Sequence, residues 1–86
     1  PFNPETWIPF ELSQDSEVSV TIYDVAGHQI RKIDLGPTLT GRYVTRGRSI
    51  YWDGRAETGE KVSSGVYFYR LQAGSYTETR KMVILK

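Results

Sequence analysis

Glu17-Val18-Ser19-Val20-Thr21-Ile22-Tyr23-Asp24-Val25-Ala26-Gly27-His28-Gln29-Ile30-Arg31-Lys32-Ile33-Asp34-Leu35 decides the fold. Val18, Val20 and Ile22 alternate with Glu17, Ser19, Thr21 and Tyr23, which is the period of a half-buried strand. Asp24-Val25-Ala26-Gly27 then reads as a tight connection. An aspartate bonds the backbone two residues on, and a glycine supplies the positive φ that such a turn needs at its end. Gln29 to Leu35 returns as the partner strand, with Ile30 in the core. No helical period competes with this hairpin.

The same alternation extends in both directions. Upstream, Ile8, Phe10 and Leu12 share one face while Trp7, Pro9 and Glu11 share the other. Pro9 lacks the N–H that a ladder needs, so this segment is an edge strand or breaks at the proline. Downstream, Gly36 to Ser49 loosens into a long loop with one short strand around Tyr43 to Thr45. Ser49 to Asp53 places Ile50 and Trp52 on one face. Asp53-Gly54 and Thr58-Gly59 bracket a polar turn, and Ser64-Gly65 precedes Val66 to Gln72, where Tyr67, Tyr69 and Leu71 share a face. Ala73-Gly74 makes the last hairpin, leading into Tyr76 to Leu85. Met82-Val83-Ile84-Leu85 is continuously apolar, the pattern of a strand buried on both sides. About seven short strands with turns every 8–12 residues describe an all-β protein, an antiparallel immunoglobulin-like β-sandwich. Asp24, Gly27, Asp53, Gly54, Gly65 and Gly74 are its structural turn residues.

Composition narrows the class without naming an activity. The 86 residues are 38 % hydrophobic and 13 % aromatic, enough apolar area to exclude a disordered tail. They form one domain, 1–86, expected to be cut from a longer protein because the chain opens Pro1-Phe2-Asn3-Pro4 without Met or a signal peptide. No run of about 18 apolar residues exists, so no transmembrane helix is expected. The absence of cysteine removes thiol nucleophiles, disulfides and thiolate metal sites. A net charge of +1 gives no argument for nucleic acid. Its distribution is uneven: residues 1–30 hold five acids and no Lys or Arg, whereas all 11 Lys and Arg fall in 31–86. Pairing of acidic and basic strands across a sheet accounts for this; a basic face docking an acidic partner is the functional alternative.

Three stretches resemble known families. Pro1-Phe2-Asn3-Pro4-Glu5-Thr6 with Ile8 and Phe10 resembles the motif P-N-P-F-N-P-x-T-x-I-x-F. Ile22-Tyr23-Asp24-Val25-Ala26-Gly27-His28-Gln29-Ile30-Arg31 resembles I-Y-D-x-x-G-R-x-V-R. Trp52-Asp53-Gly54-Arg55, Gly59, Val62, Ser64 to Leu71, Gly74 and Thr79 to Val83 complete the pattern. Together they are similar to the immunoglobulin-like module of the flagellar hook-capping protein family and to the C-terminal sorting domains of type IX secretion. The resemblance implies a C-terminal module of a large secreted or cell-surface protein, recognised by outer-membrane machinery. The Lys81 to Lys86 stretch resembles the basic-flanked apolar strand that ends such signals. His28 stands where the family often has Arg, and Trp52-Asp53-Gly54-Arg55 belongs more to the hook-capping type.

Candidate chemistry is sparse. The only imidazole, His28, follows a turn and has no second histidine with which to share a metal. Asp53, Glu57 and Glu60 could offer oxygens to calcium, but they lack the alternating spacing of a dedicated calcium loop. Arg42, Arg46 and Arg48, interleaved with Tyr43 and Tyr51, could meet an anionic surface. Trp7 points away from the core and could stack on a sugar. The reading is a non-catalytic interaction module without cofactor, secreted or at the bacterial cell surface, serving secretion sorting and surface attachment. A structural assembly module like that of hook-capping proteins, or a carbohydrate-binding accessory domain, are the alternatives. Recognition is expected through Arg80, Lys81, Met82, Val83, Ile84, Leu85 and Lys86 on an edge strand, by strand addition or by self-association.

Overall fold

The computed structural model describes residues 5–85. Pro1 to Pro4 of the opening motif and Lys86 of the expected recognition segment lie outside the described residues. Eight strands follow in chain order: β1 (Thr6–Ile8), β2 (Phe10–Leu12), β3 (Ser16–Asp24), β4 (Gln29–Thr38), β5 (Gly41–Tyr43), β6 (Ile50–Trp52), β7 (Gly65–Ala73) and β8 (Tyr76–Ile84). Every pairing between them is antiparallel. The order β4-β3-β7-β8 makes one four-stranded layer, and the pairs β1-β6 and β2-β5 make the layer facing it. This is the immunoglobulin-like sandwich, with eight strands where the sequence suggested about seven.

Alternation builds the core between the layers. Ile8, Phe10, Leu12, Ile50 and Trp52 come from the small layer; Val18, Val20, Ile22, Leu71 and Ile84 come from the large one. Val20, Ile22 and Trp52 are completely excluded from solvent, and each such side chain contributes roughly 1.5–3 kcal/mol of transfer free energy. The exposed Pro9 separates β1 from β2. Because a proline has no N–H to offer the ladder, the chain switches partners there, from β6 to β5.

Two sequence expectations are corrected. The loop expected from Gly36 instead begins after Thr38, because β4 continues through Gly36-Pro37. A bulge at Leu35, with Gly36 at a φ of 70°, lets the strand absorb an extra residue. Pro37 is tolerated since β4 is an edge strand. The second correction concerns Met82 to Leu85, which is not buried on both sides. Ile84 is 4 % exposed, but Val83 is 56 % and Leu85 64 % exposed. β8 is also an edge strand, and the outer face of its sheet carries no covering layer among the described residues. Its apolar residues therefore alternate between core and solvent.

Candidate functional site

The Trp52-Asp53-Gly54-Arg55 motif forms a loop held by several hydrogen bonds. Its tryptophan belongs to the core, where the ring meets Tyr67 edge-on at 6.2 Å. The indole Nε1 donates to the Arg55 carbonyl at 2.9 Å. Asp53 Oδ1 accepts the Arg55 N–H at 3.0 Å, an Asx turn that reverses the chain. Gly54 sits at a φ of 77°, a conformation that a side chain would strain, and its carbonyl accepts from the Val62 N–H at 2.9 Å. Arg55 itself donates to the Gly59 carbonyl at 2.7 Å.

Arg31, on β4, ties this loop to the large sheet. Its guanidinium lies 3.2 Å from Asp53 and 3.5 Å from Glu57, and it donates to the Arg55 carbonyl at 3.1 Å. Glu57 completes the attachment. Its N–H donates to the Ile30 carbonyl at 3.0 Å, and its carboxylate accepts the Lys32 N–H at 3.2 Å. One residue thus occupies the outer edge of β4 much as a neighbouring strand would, which blocks further pairing there. Asp53 and Glu57 are therefore committed to a cation of the protein, and Glu60 accepts from the Thr58 hydroxyl at 3.1 Å. No group of three metal-ligating side chains forms among the described residues. The sequence signal for Arg31 was its place at the end of the second motif, but nothing local announces a partner more than 20 residues away.

A few residues before Arg31, Asp24 organises the β3–β4 turn. Its Oδ1 accepts the N–H groups of Ala26 at 3.0 Å and His28 at 2.9 Å, and Oδ2 lies 3.2 Å from His28 Nδ1. The His28 backbone bond holds the Asp24 carboxyl below its ordinary value, with burial opposing. Gly27, at a φ of 86°, closes the turn through its N–H to the Asp24 carbonyl. Gly74 lies in the β7–β8 turn, whereas Gly65 opens β7, paired with Ile84, rather than forming a turn.

The arginine cluster is divided. Arg42 pairs with Glu11 at 3.2 Å across β2 and β5. Arg46 lies 4.3 Å over the Trp7 ring, and Arg48 4.7 Å over Tyr43. Trp7 also meets its cross-strand partner Tyr51 at 5.4 Å. A face of the tryptophan considered for sugar stacking is thus already occupied by a guanidinium. Tyr51 donates to Glu5 at 2.5 Å, and that bond raises its phenol pKa.

The segment read as the recognition strand is split by its own pleat. Arg80, Met82 and Ile84 face inward, with Lys81, Val83 and Leu85 on the opposite side. Arg80 donates to Glu78 at 3.0 and 3.2 Å, holding that carboxyl below its usual value. Both line a groove of about 360 Å³ between β8 and the small layer, floored by Phe10, Tyr69 and Leu71. Burial raises the Tyr69 phenol pKa.

The sequence matches the family described as FlgD Ig-like domain over residues 4–77. The chain belongs to that family. As a FlgD Ig-like domain it is also similar in structure to FlgD from P. aeruginosa, at 25 % identity and a TM-score of 0.70. That likeness covers 93 % of this chain and 60 % of the FlgD chain, so the domain spans about three fifths of that protein's solved length. No curated protein matches it. These matches overturn the placement of the domain as secreted or at the cell surface, because they lead to a flagellar hook-capping protein and not to a type IX sorting domain. The physical reason lies in the motifs. Trp52 to Arg55 and Asp24 to Gly27 build the sandwich and its turns, so what they encode is the fold.

Proposed function

We propose that this FlgD Ig-like domain is a non-catalytic module of a larger protein that packs against other subunits of a flagellar-type assembly. The family match across residues 4–77 carries this reading, and the likeness to FlgD supports it. The chemistry of the surface is consistent with it. The carboxylates and cations of the Trp52 to Arg55 loop bond one another and the backbone, which suits a rigid platform better than a reaction centre. Sedimentation of the chain alone, and mixed with purified hook subunits, tests the proposal. Self-association at micromolar concentration or a complex with the hook subunits supports it. A clean monomer that ignores those subunits overturns it.

A further inference from the structure

The outer face of the four-stranded sheet is not a uniformly polar solvent face. Register places Tyr23 of β3 opposite Phe68 of β7, and Phe68 opposite Lys81 of β8. Both rings are half-buried, yet neither belongs to the core between the layers. The next row of the ladder runs Lys32, Thr21, Arg70 and Thr79. On the other side of the rings, Val66 stands opposite Val83, and both are exposed. Lys32, Arg70 and Lys81 make no ion pair among the described residues. No strand carboxylate lies in these three rows: Glu57 reaches the Lys32 N–H from the outer edge of β4, where it pairs with Arg31, and Asp34 stands one row further along. An apolar centre ringed by unpaired cations is thus assembled on a sheet face that no layer covers.

We infer that this face docks an acidic segment of a neighbouring protein subunit, one that sets an apolar side chain on Tyr23 and Phe68 and carboxylates against Lys32, Arg70 and Lys81. Charge complementarity selects that occupant, because three cations without internal partners penalise a basic or neutral contact and favour an acidic one. Nucleic acid is the weaker fit. The chain's net charge is only +1, and the centre of the face is apolar, where phosphate binding needs a dense basic track. The inference deepens the assembly reading and rests on it for the nature of the partner. It also relocates contact from the edge of β8 to the sheet face, since of the Arg80 to Leu85 stretch it uses only Lys81 and Val83.

The test uses the full chain and a short soluble peptide in which glutamates are interspersed with phenylalanine and leucine. Its counterpart carries lysine in place of every glutamate. Amide NMR titration reads both affinity and location. The glutamate peptide is expected to shift Tyr23, Phe68 and Lys81, and to weaken at least about tenfold between low and high salt. Phe68→Ser is expected to lower affinity about tenfold. The double change Arg70→Glu/Lys81→Glu, at two exposed positions, is expected to reverse the preference toward the lysine peptide. Three results overturn the inference: no binding of the glutamate peptide at millimolar concentration, shifts confined to another face, or tighter binding of duplex DNA or anionic vesicles than of the peptide. Peptide binding here together with a monomer that ignores hook subunits would retain this face and discard the assembly reading.

Discussion

The indole N–H of Trp52 and the guanidinium of Arg31 converge on one acceptor, the carbonyl of Arg55, at 2.9 and 3.1 Å. One donor belongs to the completely buried core and the other to the edge strand of the opposite layer. The loop after β6 is therefore fastened to both layers through a single backbone oxygen. This joint explains the spacing in the motif: the tryptophan anchors, the aspartate turns the chain, and the glycine permits the φ that returns Arg55 over the ring.

Trp52→Phe should cost about 2–3 kcal/mol, the sum of a partly filled cavity and a lost hydrogen bond. The loss is tempered because Arg31 still serves the Arg55 carbonyl. Urea unfolding measures it. A change under about 0.5 kcal/mol, the range of ordinary surface substitutions, would mean the ring does not anchor the loop.

Arg31→Met keeps the aliphatic stem but removes the charge shared by Asp53 and Glu57. Those carboxylates are 38 % and 57 % exposed, so solvent screening limits the loss to roughly 1 kcal/mol. The sharper readout is local. Amide exchange at Lys32 and Glu57 should accelerate well before global unfolding, because their bonds hold the loop on the β4 edge. Unchanged protection at both amides would contradict this account.

The fold was legible because its signal is local. Val18, Val20 and Ile22 alternate within one strand, and Asp24 and Gly27 lie in one turn, so period and turn chemistry sufficed. Strand length at β4 was not legible, since Gly36-Pro37 reads as a stop unless the strand is known to lie at an edge and to bulge. Met82 to Leu85 misled for a related reason: a continuous apolar run says nothing about whether a layer covers the outer face. Arg31 was missed because its partners Asp53 and Glu57 are brought to it only by tertiary packing. The docking face was hidden for the same reason, as register alone puts Tyr23, Phe68 and Lys81 in one row.

Asp24 gives the β3–β4 turn a pH dependence of known sign. Its carboxyl is held below the ordinary aspartate value of 3.8, chiefly by the His28 N–H. A group with a depressed pKa in the folded state stabilises fully above its unfolded value, and that contribution is lost as pH falls through the folded value. Asp24→Asn keeps an oxygen for the Ala26 and His28 N–H groups but cannot ionise. Its stability should thus fall less steeply than that of the parent between about pH 5 and 2. Parallel urea midpoints across that range would refute the assignment.

Glu78 and Arg80 guard the free side of β8. This edge strand carries a nine-residue ladder on one side, and no strand pairs its other side among the described residues. Such an edge recruits other chains unless something opposes the contact, and inward-pointing charges are one such device. Glu78 and Arg80 occupy inward positions opposite Leu71 and Tyr69, bonded to each other beside the groove that Phe10 floors. Joining a second strand would desolvate both charges. Replacing the pair by Glu78→Val/Arg80→Val removes that cost and lines the groove with β-branched residues that suit a strand. The folded double variant should remain near the parent in stability, since exposed ion pairs contribute little, yet lose monomer on standing at about 0.5 mM. Size-exclusion chromatography over several days follows the loss. A double variant that stays as monomeric as the parent would show that something other than this pair protects the edge.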